Sequence, residues 1–399
     1  MKPHNRFTVL IALAATTALL AITYAAYADG PDKLTPYKQI ATVTVPSGLA
    51  FPGGGFDISW VDSATGRYYL ADRGNSTANP PVPPGIDVIT TKHPKFLYQI
   101  PLPNSGGTNG VVAIHGAGYD PDDEDGPGTL VVGGTDSNTY FIDLTHPFAA
   151  PIAVSTGGQK RADELAWDPK DQLILIANPD EVAPNTPFVT FISAVTHTVL
   201  GKIAYDGKPG DGPAATGIEQ PVWDGLKGAF YIAIPKTTAN ANGEVDEINP
   251  TARTITRSFP TTCGPAGLAL IPGQRLITSC GDVIDIATGK VLTTVTGVAA
   301  DEIWYNPGDE RVYFGDFTSI PVVNGVPAAA SPQYSVIATL PWQGTPFTPP
   351  PPVFHFTHSV AADSVYDHVF VPVSNTGVLV FTDDNDYGKG PGGDSRQSE

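Results

Sequence analysis

The sequence predicts an all-β fold, and three observations lead to that class. No stretch after residue 28 keeps a 3.6-residue apolar period over three helical turns, whereas short alternating runs rich in Val, Ile, Thr, Tyr and Phe recur. Gly and Pro, which number 42 and 40 among the 399 residues, punctuate these runs. A unit of sequence also repeats along the chain, as it does in folds that are built from similar modules.

Each copy of the repeat begins at a position that is usually polar, carries Asp or Asn about five residues later, and ends a second strand about fifteen residues later. Neighbouring copies begin 36 to 58 residues apart, which leaves room for the four short strands of one propeller blade. The sequence therefore predicts a seven-bladed β-propeller of four-stranded antiparallel blades. The seven start positions are Asp57, His115, Asp163, Glu219, Pro265, Asp301 and His358.

The two ends of the chain predict how the ring closes. After the last repeat start the chain has room for only three strands, and the run Gln39–Val45 stands alone before the first repeat. We expect this N-terminal strand to pair beside Val378–Phe381 and close the ring, which removes the open sheet edges. The propeller is expected over residues 29–383, followed by a disordered Gly- and Asp-rich tail at 384–399.

Composition excludes several classes of protein. With 41% hydrophobic residues the chain can bury a large core, and with 16% charged residues it is not a coiled coil. There are 22 Lys+Arg against 40 Asp+Glu, a net charge of −18, and such an acidic surface repels nucleic acid. We expect a monomer whose partner is a small-molecule substrate or ligand.

The N-terminus has the pattern of a signal peptide. Lys2 and Arg6 precede an uncharged apolar run, and Ala26-Tyr27-Ala28 fits a cleavage site. Residues 1–28 are therefore predicted to be removed, which gives a secreted or periplasmic protein with no stable membrane anchor. The alternative is an uncleaved anchor.

The only two cysteines are Cys263 and Cys280. In an exported protein an isolated pair favours a disulfide. The repeat places Cys263 before an inner strand and Cys280 after its partner strand, so both belong at the same face. No Cys-x-x-Cys is present, which excludes thioredoxin-like chemistry and covalent haem attachment.

Two segments resemble the third and fourth strands of YVTN-type propeller repeats, namely Ile284–Val295 and Phe191–Ile203. The resemblance covers most of residues 36–382, although these blades are longer than the family's repeats. It implies a seven-bladed propeller within a group that includes surface-layer proteins, lactonase-like hydrolases and binding proteins. The place of the family's Tyr-Val-Thr-Asn tetrapeptide is taken, without a full match, by Tyr69–Asp72, Leu175–Asn178 and Tyr313–Asp316.

The start positions are predicted to form a ring around one mouth of the central channel. In a propeller the first strand of each blade begins beside the channel, and the second strand ends at that same face. Several carboxylates would then converge and repel one another unless a cation or a shared proton relieves them. The predicted neighbours of the ring are Asp72, Arg73, Glu164, Asn178, Cys280, Glu302 and Asp316.

The sequence predicts two alternative metal sites at this mouth. His358, Asp57 and His115 lie on three neighbouring blades and form a nitrogen–carboxylate set that suits a transition metal. Alternatively, carboxylate oxygens suit calcium. The expected cofactor is one divalent metal ion, and no nucleotide, haem or flavin is indicated. The calcium set comprises Asp163, Glu219, Asp301 and Glu302.

Two functions follow from the ring. The first is an exported enzyme with hydrolase- or lyase-type chemistry on a small oxygenated substrate. In it Asp57, His115 and His358 are ligands or general bases, and Arg73 orients an anionic group. The second is a non-catalytic propeller that binds a protein, a glycan or a small ligand. The remaining acid–base groups or ligands of the enzyme hypothesis are Glu164, Glu219 and Glu302.

The polar residues five positions after the repeat starts are predicted to be structural. They fall in the first hairpin turn of each blade, where short polar side chains bond to nearby backbone groups. These residues are Asp62, Asp120, Asp168, Asp224, Asn306 and Asp363.

Overall fold

The structure is a computed structural model that describes residues 36–51, 54–116, 128–182, 186–326, 334–345 and 353–383. The predicted signal peptide, the predicted C-terminal tail and Asp120 lie outside these residues. The described part of the chain contains no helix with the length and hydropathy that a membrane crossing requires.

The described residues form 28 strands in seven four-stranded antiparallel sheets, one sheet for each predicted blade. The predicted seven-bladed propeller is confirmed. A short 3-10 helix, Pro103–Ser105, follows the first blade. Blade 1 comprises β2 (Gly54–Asp62), β3 (Arg67–Asn75), β4 (Gly85–Thr90) and β5 (Lys95–Pro101); blade 2 comprises β6 (Thr108–Ile114), β7 (Thr129–Gly134), β8 (Asn138–Asp143) and β9 (Ile152–Ser155); blade 3 comprises β10 (Leu165–Asp168), β11 (Leu173–Asn178), β12 (Phe188–Ser193) and β13 (Thr198–Ala204).

The remaining blades follow the same order of strands, from the channel outward. Blade 4 comprises β14 (Pro221–Asp224), β15 (Ala229–Ile234), β16 (Glu244–Asn249) and β17 (Thr254–Pro260); blade 5 comprises β18 (Leu268–Ile271), β19 (Arg275–Thr278), β20 (Asp282–Asp285) and β21 (Lys290–Thr294); blade 6 comprises β22 (Glu302–Asn306), β23 (Arg311–Gly315), β24 (Pro321–Asn324) and β25 (Val336–Thr339); blade 7 comprises β26 (Ala361–Ala362), β27 (Val369–Val373), β28 (Gly377–Thr382) and β1 (Lys38–Val43).

The N-terminal strand closes the ring, as predicted. Strand β1 pairs antiparallel with β28, with Lys38 opposite Thr382 and Val43 opposite Val378. The seventh sheet is thus completed by residues from both ends of the propeller, which leaves no blade short of a strand.

The core lies between neighbouring blades. Every residue of β11 is buried, whereas the outermost strand β13 is mostly exposed. This difference follows from position, because second strands have a blade on each face and outermost strands face water. Large aromatic side chains fill the gaps between blades, as where Phe191 of blade 3 and Phe230 of blade 4 share one cluster.

The hairpin-turn prediction is confirmed for four of the five residues that the structure describes, whereas the Asp62 side chain accepts from the Thr65 hydroxyl and contacts His115 Nε2. Asp168 Oδ1 accepts the backbone N–H groups of Lys170 at 2.9 Å and Asp171 at 3.2 Å. These bonds satisfy turn N–H groups that the strands leave unpaired. The same arrangement recurs at Asp224 and Asp363, and Asn306 bonds one backbone N–H.

The cysteine prediction also agrees with the structure. Cys263 precedes β18 and Cys280 follows β19, and their Cα atoms lie 6.1 Å apart at disulfide distance.

Blade 2 corrects one prediction. Its first strand is β6, which ends just before His115 instead of beginning there. The repeat was placed one strand length too late, because the first strand of this blade, Thr-Asn-Gly-Val-Val-Ala-Ile, has no acidic or histidine side chain at its start. Asn109 takes the position near the channel mouth, and His115 lies at the opposite end of the strand.

Candidate functional site

A cavity of about 280 Å³ lies at the face where the first strands begin. We call it the mouth cavity. Its wall combines the aromatic rings of Phe56, Phe317 and Phe356 with charged side chains. Cavities that combine an apolar wall with a few convergent polar groups are typical small-molecule sites. The charged residues that line it are Asp57, Arg73, Arg161, Asp301 and His358.

Asp57 is the central carboxylate of the mouth cavity. It lies in β2 and only 4% of it is exposed. Arg73, at the end of β3, forms an ion pair with its Oδ2 and also donates to Asn109 Oδ1 at 2.7 Å. A second guanidinium approaches as well, because Arg161 Nη1 lies 3.8 Å from the same Oδ2. Asp57 therefore contacts two arginines over one cavity, one from its own blade and one from the loop between blades 2 and 3.

Arg161 links the mouth cavity to further carboxylates. Its Nε lies 3.0 Å from Asp163 Oδ2 and 2.8 Å from Asp180 Oδ2. Asp163 is 2% exposed, whereas the Asp180 side chain is 54% exposed. Arg161 is thus the cation that compensates a buried aspartate, which is the kind of contact whose loss is costly.

His358 provides the imidazole of the mouth cavity. Its Nδ1 lies 3.3 Å from Asp301 Oδ2 and 3.9 Å from Asp57 Oδ1, and its Nε2 lies 3.3 Å from the Phe56 carbonyl oxygen. The ring stacks on that of Phe56, with centroids 4.9 Å apart. Burial opposes protonation, but contact with Asp301 and the charge of Asp57 outweigh it and raise the pKa of His358. Both ring nitrogens have oxygen neighbours, which favours the imidazolium.

Two more carboxyls near the mouth titrate close to neutral pH. Burial and the charge of Asp57 raise the pKa of Asp163 to about 7, against the opposing effect of Arg161. Burial and the charges of Asp163 and Asp301 raise the pKa of Glu219 to about 8. Groups with such perturbed pKa values, gathered around a cavity, are candidates for acid–base work.

A second cavity, of about 410 Å³, lies deeper along the axis, between the first strands of the blades. We call it the channel cavity. Glu164 and Glu302, each one position after a predicted ring residue, line it at the end nearest the mouth. Burial and mutual repulsion raise the pKa of Glu164 well above its usual range, and burial with repulsion from Asp301 does the same for Glu302. Its other main lining residues are Trp60, Trp167, Trp223 and Trp304.

Most predicted ring residues meet at the mouth, but their neighbours take other roles. Pro265 is buried and contributes no charge. Asp72 is fully buried below the mouth, and burial raises its pKa. Asn178 donates to Ser137 Oγ and to the carbonyl oxygen of Arg161, each at 2.9 Å, so it shapes the loop that carries this arginine. Asp316 accepts the backbone N–H of the next residue at 2.7 Å, and so acts locally.

His115 is not at the mouth. Its Nε2 lies 3.1 Å from Asp62 Oδ2, at the opposite end of the first strands. The predicted nitrogen–carboxylate set of His358, Asp57 and His115 is therefore not assembled, because the strand β6 separates His115 from the other two. Within the described residues, no three His, Cys, Asp or Glu side chains converge in a way that could hold a metal ion.

Several residues of both cavities were missed from the sequence. Arg161 lies two positions before a ring start, and Asn109 lies in a strand whose start was misplaced. The tryptophans had a readable signal, because each follows a ring start by three or four residues: Trp60, Trp167, Trp223 and Trp304. At about 3.3 Å per residue, this spacing places them about 10 to 13 Å below the mouth.

Comparison with known proteins supports the architecture. No protein-family model matches the sequence, and no curated protein matches it significantly. Among solved structures, the chain is similar to the WD40 β-propeller domain of Doa1, with a TM-score of 0.59 and 13% sequence identity. The match covers 88% of this chain and 99% of that domain. At such low identity the likeness shows the propeller fold and nothing of the function.

Proposed function

We propose that the mouth cavity is an acid–base site that acts on a small oxygenated substrate by hydrolysis or by a lyase-type elimination. The observation that carries the proposal is the position of His358, which touches Asp301 and Asp57 in a cavity that also holds Arg73 and Arg161. Both reactions need a proton donor, a proton acceptor and a positive group beside the developing oxyanion. The cavity supplies all three.

In this proposal each charged side chain has one role. His358, held as an imidazolium, gives a proton to the leaving oxygen. Asp301, whose side chain is 41% exposed, accepts the proton from water or from the substrate carbon. Arg73 and Arg161 bind an anionic group or the oxyanion, and Asp57 orients both arginines.

The alternative is a propeller that binds a small ligand without turnover. The observation in its favour is that both arginines already have carboxylate partners, Asp57 and Asp163. A ligand would then exchange one ion pair for another, with no need for proton transfer.

The decisive experiment compares two histidines. Turnover of a small lactone and of an aryl ester is measured for the wild type, His358→Gln and His115→Gln. We expect His358→Gln to lose activity by about 100-fold, because it removes the proton donor, and His115→Gln to stay near the wild type. Equal activity in both variants would contradict the proposed role of His358. No turnover of either substrate by the wild type, combined with ligand binding at the mouth, would favour the non-catalytic alternative.

Export and a divalent metal stay predictions. Mass spectrometry of the protein after expression in an exporting host tests cleavage after Ala28, and an intact N-terminus would contradict it. Metal analysis of protein purified without a His tag tests for the divalent metal. A stoichiometric metal would bring the mouth carboxylates back as ligands.

A further inference from the structure

We propose that the channel cavity binds a small organic cation, an ammonium that carries apolar groups. This inference does not rest on the function of the mouth cavity. The two cavities use different side chains, because Asp301 lines the mouth cavity whereas Glu302, the next residue in the chain, lines the channel cavity.

The first argument is the aromatic wall. Trp60 in β2, Trp167 in β10, Trp223 in β14 and Trp304 in β22 come from four different blades, yet all line this one cavity. All four are only partly buried, although indole is the largest apolar side chain and contributes much binding area when covered. Indole is also the ring that attracts organic cations most strongly.

The second argument is a pair of buried carboxyl groups without cations. Glu164 is 6% exposed and Glu302 is 2% exposed. One oxygen of each, Oε2 of Glu164 and Oε1 of Glu302, is buried and has no hydrogen-bond partner. Among the described residues, no ion pair involves either side chain. Unpartnered buried carboxyl oxygens are costly, so a ligand that pairs with them is favoured.

The surroundings decide the sign of the ligand's charge. Further carboxyl groups lie near Glu164 and Glu302 and make the electrostatic potential in the channel cavity more negative. They belong to Glu219, Asp163, Asp301 and Asp57. The nearest arginines, Arg73 and Arg161, are engaged by Asp57 and Asp163. An anion would therefore be repelled, and a neutral apolar molecule would leave the carboxyl oxygens unpaired.

The chemistry of the walls separates an organic cation from a metal ion. Indole and aliphatic side chains offer no oxygen ligands to replace the water shell of a hard cation, whereas an alkylated ammonium sheds little water and contacts apolar walls. Trp304 Nε1 is also buried without a hydrogen-bond partner, so an oxygen on the ligand would find a donor.

The test uses two soluble molecules of nearly the same shape. Choline carries a quaternary ammonium, and 3,3-dimethylbutan-1-ol carries a carbon in its place, with the same hydroxyl in both. Isothermal titration calorimetry near pH 8 should show choline binding at least about tenfold more tightly. Glu302→Gln should remove that preference, since the amide keeps the shape of the side chain but cannot ionise when the cation binds.

Tryptophan variants supply the matched control. Trp304→Leu should weaken choline binding by about tenfold, whereas Trp342→Leu should leave it unchanged, because Trp342 does not line the channel cavity. Should Trp304→Leu fail to fold, Trp167→Leu serves in its place.

Three results would overturn the proposal. They are equal affinity for choline and its neutral analogue, an unchanged preference in Glu302→Gln, and no binding of choline at about 10 mM. Because none of the variants changes a side chain that lines the mouth cavity, these outcomes do not decide the function proposed for that cavity.

Discussion

The mouth cavity and the channel cavity are lined from the same strands, one residue apart, but they treat their carboxyl groups differently. At the mouth, Asp57 and Asp163 contact arginines. In the channel, Glu164 and Glu302 contact none. The alternation of side chains along a strand explains why adjacent residues line different cavities, because successive side chains point to different sides.

This difference shows two ways in which the ring of first strands accommodates its acidic residues. Where an arginine can reach, the carboxyl groups form ion pairs with it. Where no arginine pairs with them, burial raises the pKa of the carboxyl groups and favours their protonated form. The residues at the mouth thus favour reactions that use ion-paired side chains, and the residues one position further along favour the binding of a cationic ligand.

The largest expected effect comes from removing the cation of the mouth. Arg161→Leu leaves Asp163 buried without its partner, and we expect the free energy of unfolding to fall by about 3 kcal/mol near pH 8. Urea unfolding measures the change. The double variant Arg161→Leu with Asp163→Asn should recover most of the loss. A single variant as stable as the wild type would contradict the pairing.

A smaller effect is expected from pH. Asp163 and Glu219 have folded-state pKa values of about 7 and about 8, above their unfolded values of 3.8 and 4.5. The folded state therefore binds protons more tightly, so their stabilisation is full below about pH 4 and is lost as pH rises through about 8.

The free energy of unfolding should fall less between about pH 5 and pH 8 in Glu219→Gln than in the wild type. The expected difference is about 2 kcal/mol after allowance for solvent screening. Urea unfolding at the two pH values gives the comparison. Glu310→Gln, in an exposed turn, is the control and should keep the wild-type slope. Equal slopes in both variants would argue against a raised pKa at Glu219.

The smallest effect is expected away from both cavities. Asp168→Ala removes two hydrogen bonds to turn backbone and should cost about 1 kcal/mol of unfolding free energy, without changing turnover or choline binding. Asp168→Asn keeps an acceptor oxygen and should lose less. A loss of choline binding in Asp168→Ala would show that the channel cavity depends on the hairpin turns.

Repetition made the architecture predictable. The seven repeat start positions predicted seven blades, and the lone strand before the first repeat predicted that β1 and β28 close the ring. Most of the turn residues were predictable as well, because an Asx turn is a local interaction that needs only the next two or three residues, whereas the contact of Asp62 with His115 joins two blades.

The site was predictable only where blades obey the common spacing. Asp57, Asp301 and His358 met at the mouth as expected. His115 did not, since spacing measured from a turn misplaces a strand of different length. Arg161 was missed because its role depends on reaching a neighbouring blade, and no local pattern records such a contact.

Infrared spectroscopy tests the difference between the two cavities most directly. Near pH 7, the wild type should show the carbonyl stretch of buried protonated carboxyl groups. That absorption should be weaker in the double variant Glu164→Gln with Glu302→Gln, and unchanged in Glu310→Gln. Choline should also weaken it in the wild type, because a bound cation favours the ionised carboxylate. Identical spectra for the wild type and the double variant would show that the channel carboxyls are already ionised, and would contradict the contrast drawn between mouth and channel.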